Sequence, residues 1–163
     1  MKRYVCLFLS ISLSLFCLVS CTKMKYRSDV EPSSITDKIQ SALPLPDGYG
    51  HHGDDYLSHR FYGIKEYIDA YSIICSESAK RADLIAVFRA KNAYDVQNVL
   101  IICEAFLDDQ RALFSMIVEQ YLPSESERLD GAQTRTFGNY VVACVLSPED
   151  AQKAFSEIEQ ISK

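Results

Sequence analysis

The chain has 163 residues and carries 17 Lys and Arg against 22 Asp and Glu, a formal net charge of −5. That length supports one domain with its own core but not two. The acidic balance argues against a nucleic-acid partner, whose phosphates require a basic face.

Lys2 and Arg3 open the chain, and residues 5–19 form an almost unbroken apolar run. The run falls short of the ~20 residues that a membrane-spanning helix needs, so it reads as a leader. It ends in Leu18-Val19-Ser20-Cys21, which resembles the lipobox of bacterial lipoproteins. The resemblance implies removal of residues 1–20 as a signal peptide and diacylation of the Cys21 thiol. It also implies an anchor at the extracytoplasmic face of the cell membrane. Cys17 fits less well, because the bulky Phe16 precedes it. Two acyl chains hold stably where one holds only marginally. Residues 22–33 (TKMKYRSDVEPS) have little apolar content and no periodicity, so residues 21–33 read as the lipidated cysteine and its tether. Lys23, Lys25 and Arg27 would each add roughly 1 kcal/mol of attraction to anionic headgroups.

A single domain is expected over residues 34–163. Ser34 opens a predicted short helix, with Asp37 at capping-box spacing and Ile35, Ile39 and Leu43 on one face. Pro44 stops it. Residues 44–63 are rich in Gly, Pro and Asp, with a helical turn predicted over 54–62 and ending at Gly63. Residues 66–75 (EYIDAYSIIC) and 82–91 (ADLIAVFRAK) are β-branched and aromatic runs around a polar loop, and predict a hairpin. The strongest helix follows Asn92. Its apolar stripe is Val96, Val99, Leu100, Cys103, Phe106, Leu107, Phe114, Ile117, Val118 and Tyr121, closed by Pro123. A second strand pair, 132–137 and 140–146, turns at Gly138-Asn139. Ser147-Pro148-Glu149-Asp150 then caps a final helix whose stripe is Ala151, Ala154, Phe155, Ile158 and Ile161.

After the N-terminal helical segment the order is β-β-α-β-β-α, of α+β class. The most economical arrangement is a four-stranded antiparallel sheet with the two amphipathic helices on one face. One pattern resists it. ADLIAVF and YVVACVL are apolar on both parities, where a half-exposed strand alternates. The second face therefore needs a cover, either residues 34–62 or a partner protein.

The strings ADLIAVFRAKNAYDV, QRALFSMIVEQYLP and GNYVVACVLSPEDA, behind the lipobox, resemble the short bacterial lipoproteins grouped as domain of unknown function 4358. The resemblance spans roughly residues 35–160. It implies an exported, membrane-anchored protein with no assigned activity, and it supplies no catalytic residues.

Residues 51–59 (HHGDDYLSH) hold all three histidines. Asp55 and His59 share a face on a helical turn, and His51 or His52 could fold back as a third ligand for a zinc-type ion. The string lacks the HExxH order that adds a general base. The same region offers Tyr49, Tyr56, Tyr62 and Tyr67, with flat apolar faces and polar tips suited to a glycan or a cell-envelope protein. The alternative is that they cap the sheet as core. Cys75, Cys103 and Cys144 lie in apolar runs and read as buried free thiols, with a Cys75–Cys144 bridge as the alternative. No nucleophile elbow, phosphate loop or dinucleotide fingerprint occurs. The adjacent acids Asp54-Asp55 and Asp108-Asp109 point about 100° apart on a helix and do not face each other as an acid/base pair. The sequence therefore predicts a non-catalytic binding or scaffolding module, with metal binding through residues 51–59 as the alternative.

Overall fold

The computed structural model describes residues 26–45, 48–78, 81–121 and 125–161, with backbone alone for 115–121. The leader, Cys21, the start of the tether and Pro123 lie outside the described residues, as do the side chains of Ile117, Val118 and Tyr121.

Helix α1 spans Pro32–Ala42, two residues earlier than predicted. Pro32 occupies its first turn, where a missing N–H costs nothing. Strand β1 (Tyr49–His52) and helix α2 (Asp54–Arg60) follow, then a 3-10 turn at Ile64–Glu66. Gly63, with φ +78°, makes the left-handed step between α2 and that turn. Strands β2 (Ile68–Ser76) and β3 (Leu84–Ala90) form the predicted hairpin, and the long helix α3 spans Val96–Tyr121. Asn92 caps the turn ahead of α3, its side-chain oxygen accepting from the backbone N–H groups of Tyr94 and Asp95. A short helix α4 (Ser126–Asp130), strands β4 (Gln133–Phe137) and β5 (Tyr140–Val145), and helix α5 (Pro148–Ile161) complete the chain. At the start of α5, Ser147 Oγ accepts from the Asp150 N–H at 3.3 Å, as the capping string predicts.

The sheet corrects the predicted four-stranded architecture. It has five antiparallel strands in the order β1-β2-β3-β5-β4. The added edge strand is the stretch read as loop. Tyr49 pairs with Ser76 and His52 with Ile73, and no local periodicity announces a four-residue strand that contains a glycine.

The helices also correct the reading that both amphipathic helices share one face. Register places Ile73, Ala86 and Ala143 in one row and Ile74, Ile85 and Cys144 in the next. Side chains in successive rows point to opposite faces. The first row belongs to a core closed by α2, the 3-10 turn and α3, with Leu57, Phe61, Ile64, Val99, Cys103, Phe106 and Leu107 buried. The second belongs to a core closed by α1 and α5, through Ile35, Ile39, Ala151, Ala154, Phe155 and Ile158. The doubly apolar strands thus have a cover on each side. The segment expected to cover one face is divided between the two: α1 meets α5, and α2 lies with α3. Fully burying Ile35 and Ile39, each 0 % exposed, is worth about 1.5–3 kcal/mol apiece. The buried hydroxyls of Thr36 on α1 and Ser72 on β2 satisfy each other at 2.8 Å.

The two ends of the sheet differ. At one end lie the Gly138-Asn139 turn, the close of β3 and the start of β2. There the Ala90 N–H donates to Asn139 O at 2.9 Å, and the Lys91 N–H to Tyr67 O at 2.9 Å. The chain enters the domain at this end. The Tyr26 ring meets Phe137 edge-on at 5.9 Å, and a Cβ on Gly138 (φ +60°) would fall 2.7 Å from Tyr26 Cβ. Tyr140 Oη donates to Val30 O at 2.8 Å. The other end carries the β2–β3 loop and α4.

Candidate functional site

At the loop end of the sheet a cleft of about 290 Å³ opens between β1, α2, the β2–β3 loop and α3. Its aromatic wall is built by α2. The Tyr56 ring packs against His52 of β1 with centroids 4.6 Å apart. Arg60, one turn further along, holds its guanidinium 5.9 Å from the Tyr56 centroid and 5.8 Å from that of Phe106, within cation–π range. It also donates to Gln110 Oε1 on α3 at 3.3 Å. Spacing of four on α2 sets Tyr56 and Arg60 on the same side.

The floor is ionic. Asp83 enters β3 with its side chain only 2 % exposed, and each carboxylate oxygen meets a guanidinium Nε at 2.5 Å, one from Arg81 and one from Arg128. Arg128 also pairs with Glu125 at 2.7 Å, and the other Glu125 oxygen accepts the Ala82 N–H at 3.0 Å. A buried carboxylate is tolerated only when paired in this way. Tyr49 Oη, His52 Nε2 and Arg81 Nη2 are buried here without a hydrogen-bond partner. Burial, and then the negative charge of Asp83, raises the Tyr49 phenol well above its ordinary pKa. Burial pushes Tyr56 up to about 12.

The predicted zinc-type ligands are not brought together. His51 and His52 are neighbours on a strand and leave it on opposite faces. His51 Nε2 approaches Asp37 on α1 at 3.8 Å, while His52 turns to Tyr56. His59 Nδ1 donates to the Asp55 carbonyl oxygen at 2.7 Å, and both residues are exposed. Among the described residues no group of three or more His, Cys, Asp or Glu side chains is arranged to hold a metal ion. The four tyrosines are dispersed as well. Tyr56 lines the cleft, Tyr49 packs toward the α1/α5 core, Tyr67 is half-buried on the α3 side, and Tyr62 stands 89 % exposed.

Sequence reading missed Arg60, Arg81, Asp83 and Arg128. One signal was present: an acid at the mouth of the apolar string ADLIAVF must find a buried partner. The sequence does not show that the partners come from the polar loop and from α4.

Cys75, Cys103 and Cys144 are free and buried. Cys75 and Cys144 belong to cores on opposite faces of the sheet, which removes the bridge considered from the sequence. Burial raises all three thiols, Cys144 to about 12, so the nucleophilic thiolate is disfavoured at neutral pH. Ellman's reagent at pH 8 is therefore expected to leave Cys103 and Cys144 unlabelled in the folded chain from Thr22 onward. Cys75, at the cleft, should react slowly, and all three should react in denaturant. Rapid native labelling of Cys103 would contradict this packing.

Among the described residues no helix is long and apolar enough to cross a membrane. The family described as Domain of unknown function (DUF4358) matches residues 51–146. That span runs from β1 to the end of β5 and includes the cleft. No curated protein and no solved structure matches the chain.

Proposed function

This chain belongs to the DUF4358 family, and we propose that it is a lipid-anchored, extracytoplasmic, non-catalytic binding module that presents the cleft at the loop end of its sheet to a cell-envelope protein or glycan. The observation that carries the reading is the polarity of the domain. Tyr26 docks beside Gly138, at one end of the sheet, and the β2–β3 loop residues Glu77, Ser78, Arg81 and Ala82 line the cleft at the other. A chain anchored at Cys21 would therefore hold the cleft away from the bilayer and open to partners. The chemistry of the cleft suits binding. Tyr56 offers a flat face, Arg60 a cation above it and Glu77 an acceptor, while the buried Asp83 is held by two arginines and is not available as a base.

The anchor is tested in a bacterial host. The full chain is expected in the membrane fraction with a diacylglyceryl group on Cys21, and Cys21→Ala should lower the membrane-bound share at least about tenfold, since an unanchored acidic domain has little affinity for headgroups. Mass spectrometry that finds Cys21 unmodified in membrane-derived protein would sink the anchor. The binding role is tested by recovering partners with the detergent-solubilised lipoprotein. A Tyr56→Ala, Arg60→Ala double variant should lose a partner that Glu127→Lys, on exposed α4, retains. Equal recovery by both would turn the proposal away from the cleft.

A further inference from the structure

We infer that the tether end of the domain is itself a membrane-contact surface, seated on the bilayer through Tyr62 and Tyr94; this rests on the lipid-anchor reading above. Both are the most exposed large apolar side chains among the described residues, at 89 % and 91 %. Neither belongs to the cores, and both stand at the end where the chain enters. Tyr62 lies in the turn just ahead of Ile64–Glu66, and that turn is fixed to this end because Lys91 Nζ donates to Glu66 O at 2.7 Å. Tyr94 follows Lys91 in the turn that opens α3, its N–H held by Asn92.

The length of chain outside the described residues supplies the second argument. Cys21 stands five residues before Tyr26, and a fully extended stretch of that length spans at most roughly 18 Å. A domain of about 130 residues has a radius of gyration of roughly 14 Å and is therefore wider than the tether is long. With Cys21 lipidated, the Tyr26–Gly138 end cannot turn away from the surface.

The chemistry of that end suits an interface. A tyrosine ring with a polar tip belongs at headgroup level, where one end is apolar and the other wet. The charges there are mixed. Exposed Lys65 and Lys91 favour anionic headgroups. Asp69 is engaged by Arg89 at 2.7 Å, and Glu66 is exposed. The tyrosines, not net charge, single out this end.

The chain contains no tryptophan, so one substitution introduces a unique fluorophore. Tyr62→Trp, Tyr94→Trp and, at the opposite end, Glu127→Trp are each prepared as full-length lipoprotein purified from membranes. Each is reconstituted in phosphatidylcholine vesicles with a minority of phosphatidylglycerol, with and without brominated acyl chains. The first two should show blue-shifted emission and at least twofold stronger bromine quenching than the third. Equal quenching at all three positions, with Cys21 diacylation verified by mass in the same sample, overturns the contact surface and leaves the anchor intact. Blue-shifted emission without bromine quenching means that a second copy of the chain covers the tyrosines, and also overturns it. An unmodified Cys21 removes the anchor reading and this inference with it.

Discussion

Gly131→Ala should destabilise the domain by about 3 kcal/mol, the upper part of the range for forcing a methyl group into packed structure. Gly131 ends α4 with φ −80° and ψ −3°, a conformation open to any residue, so backbone preference does not require a glycine. Contact does. A Cβ there would lie 2.2 Å from Leu146 O and 2.8 Å from Pro148 N. Both are backbone atoms, the first in the connection after β5 and the second at the start of α5, and neither can swing aside as a side chain would. The connection after α4 thus packs directly against the one that starts α5, and an added methyl group would push α5 off its core. Gly63→Ala gives the comparison. Nothing lies within 4 Å of its Cβ, but φ is +78°, a left-handed strain of about 1–2 kcal/mol. Urea melts of the chain from Thr22 onward should rank Gly131→Ala well below Gly63→Ala in midpoint, and the reverse order would refute the close approach.

Asp83→Ala should cost about 3–5 kcal/mol, the penalty for breaking a buried ion pair from one side. Its carboxylate bridges Arg81 and Arg128. Without it, two guanidiniums with side chains 24 % and 29 % exposed are left facing each other. Glu125 would still hold Arg128, and Arg81 would have to reach solvent. Asp83→Asn keeps one acceptor oxygen and should cost roughly half as much. Because Arg81 and Asp83 line the cleft, both variants should also weaken partner recovery. A loss under about 1 kcal/mol for Asp83→Ala would mean that water screens the cluster as it screens a surface pair.

The long helix, the final helix and the four predicted strands were legible because their signals are local. The stripe through Val99, Cys103, Phe106 and Leu107 repeats at three and four, and the residues are buried as it requires. Ser147, Pro148 and the two following acids start α5 through contacts within one turn. The two-sided apolar strands stated that the sheet is an inner layer. The family match over residues 51–146 is narrower than the span of roughly 35–160 expected from the resemblance. It contains ADLIAVFRAKNAYDV, QRALFSMIVEQYLP and the GNYVVACVL part of the third string.

Only the tertiary structure decided the rest, because each remaining feature depends on partners distant in the chain. An apolar stripe says that a helix packs on the sheet, but against a sheet apolar on both faces it does not say which one, and α3 and α5 took opposite sides. Tyr49–His52 is a strand only because β2 lends it a ladder from Ser76 to Ile73. That pairing also fixed the fate of the histidines, since strand alternation sends His51 and His52 apart where a free loop could have folded them together. The cleft was likewise illegible: Tyr56 and Arg60 come from α2, Arg81 and Asp83 from the β2–β3 loop and Gln110 from α3. Composition and periodicity specify which side chains must be buried, whereas the pairing of distant segments decides which charges meet there.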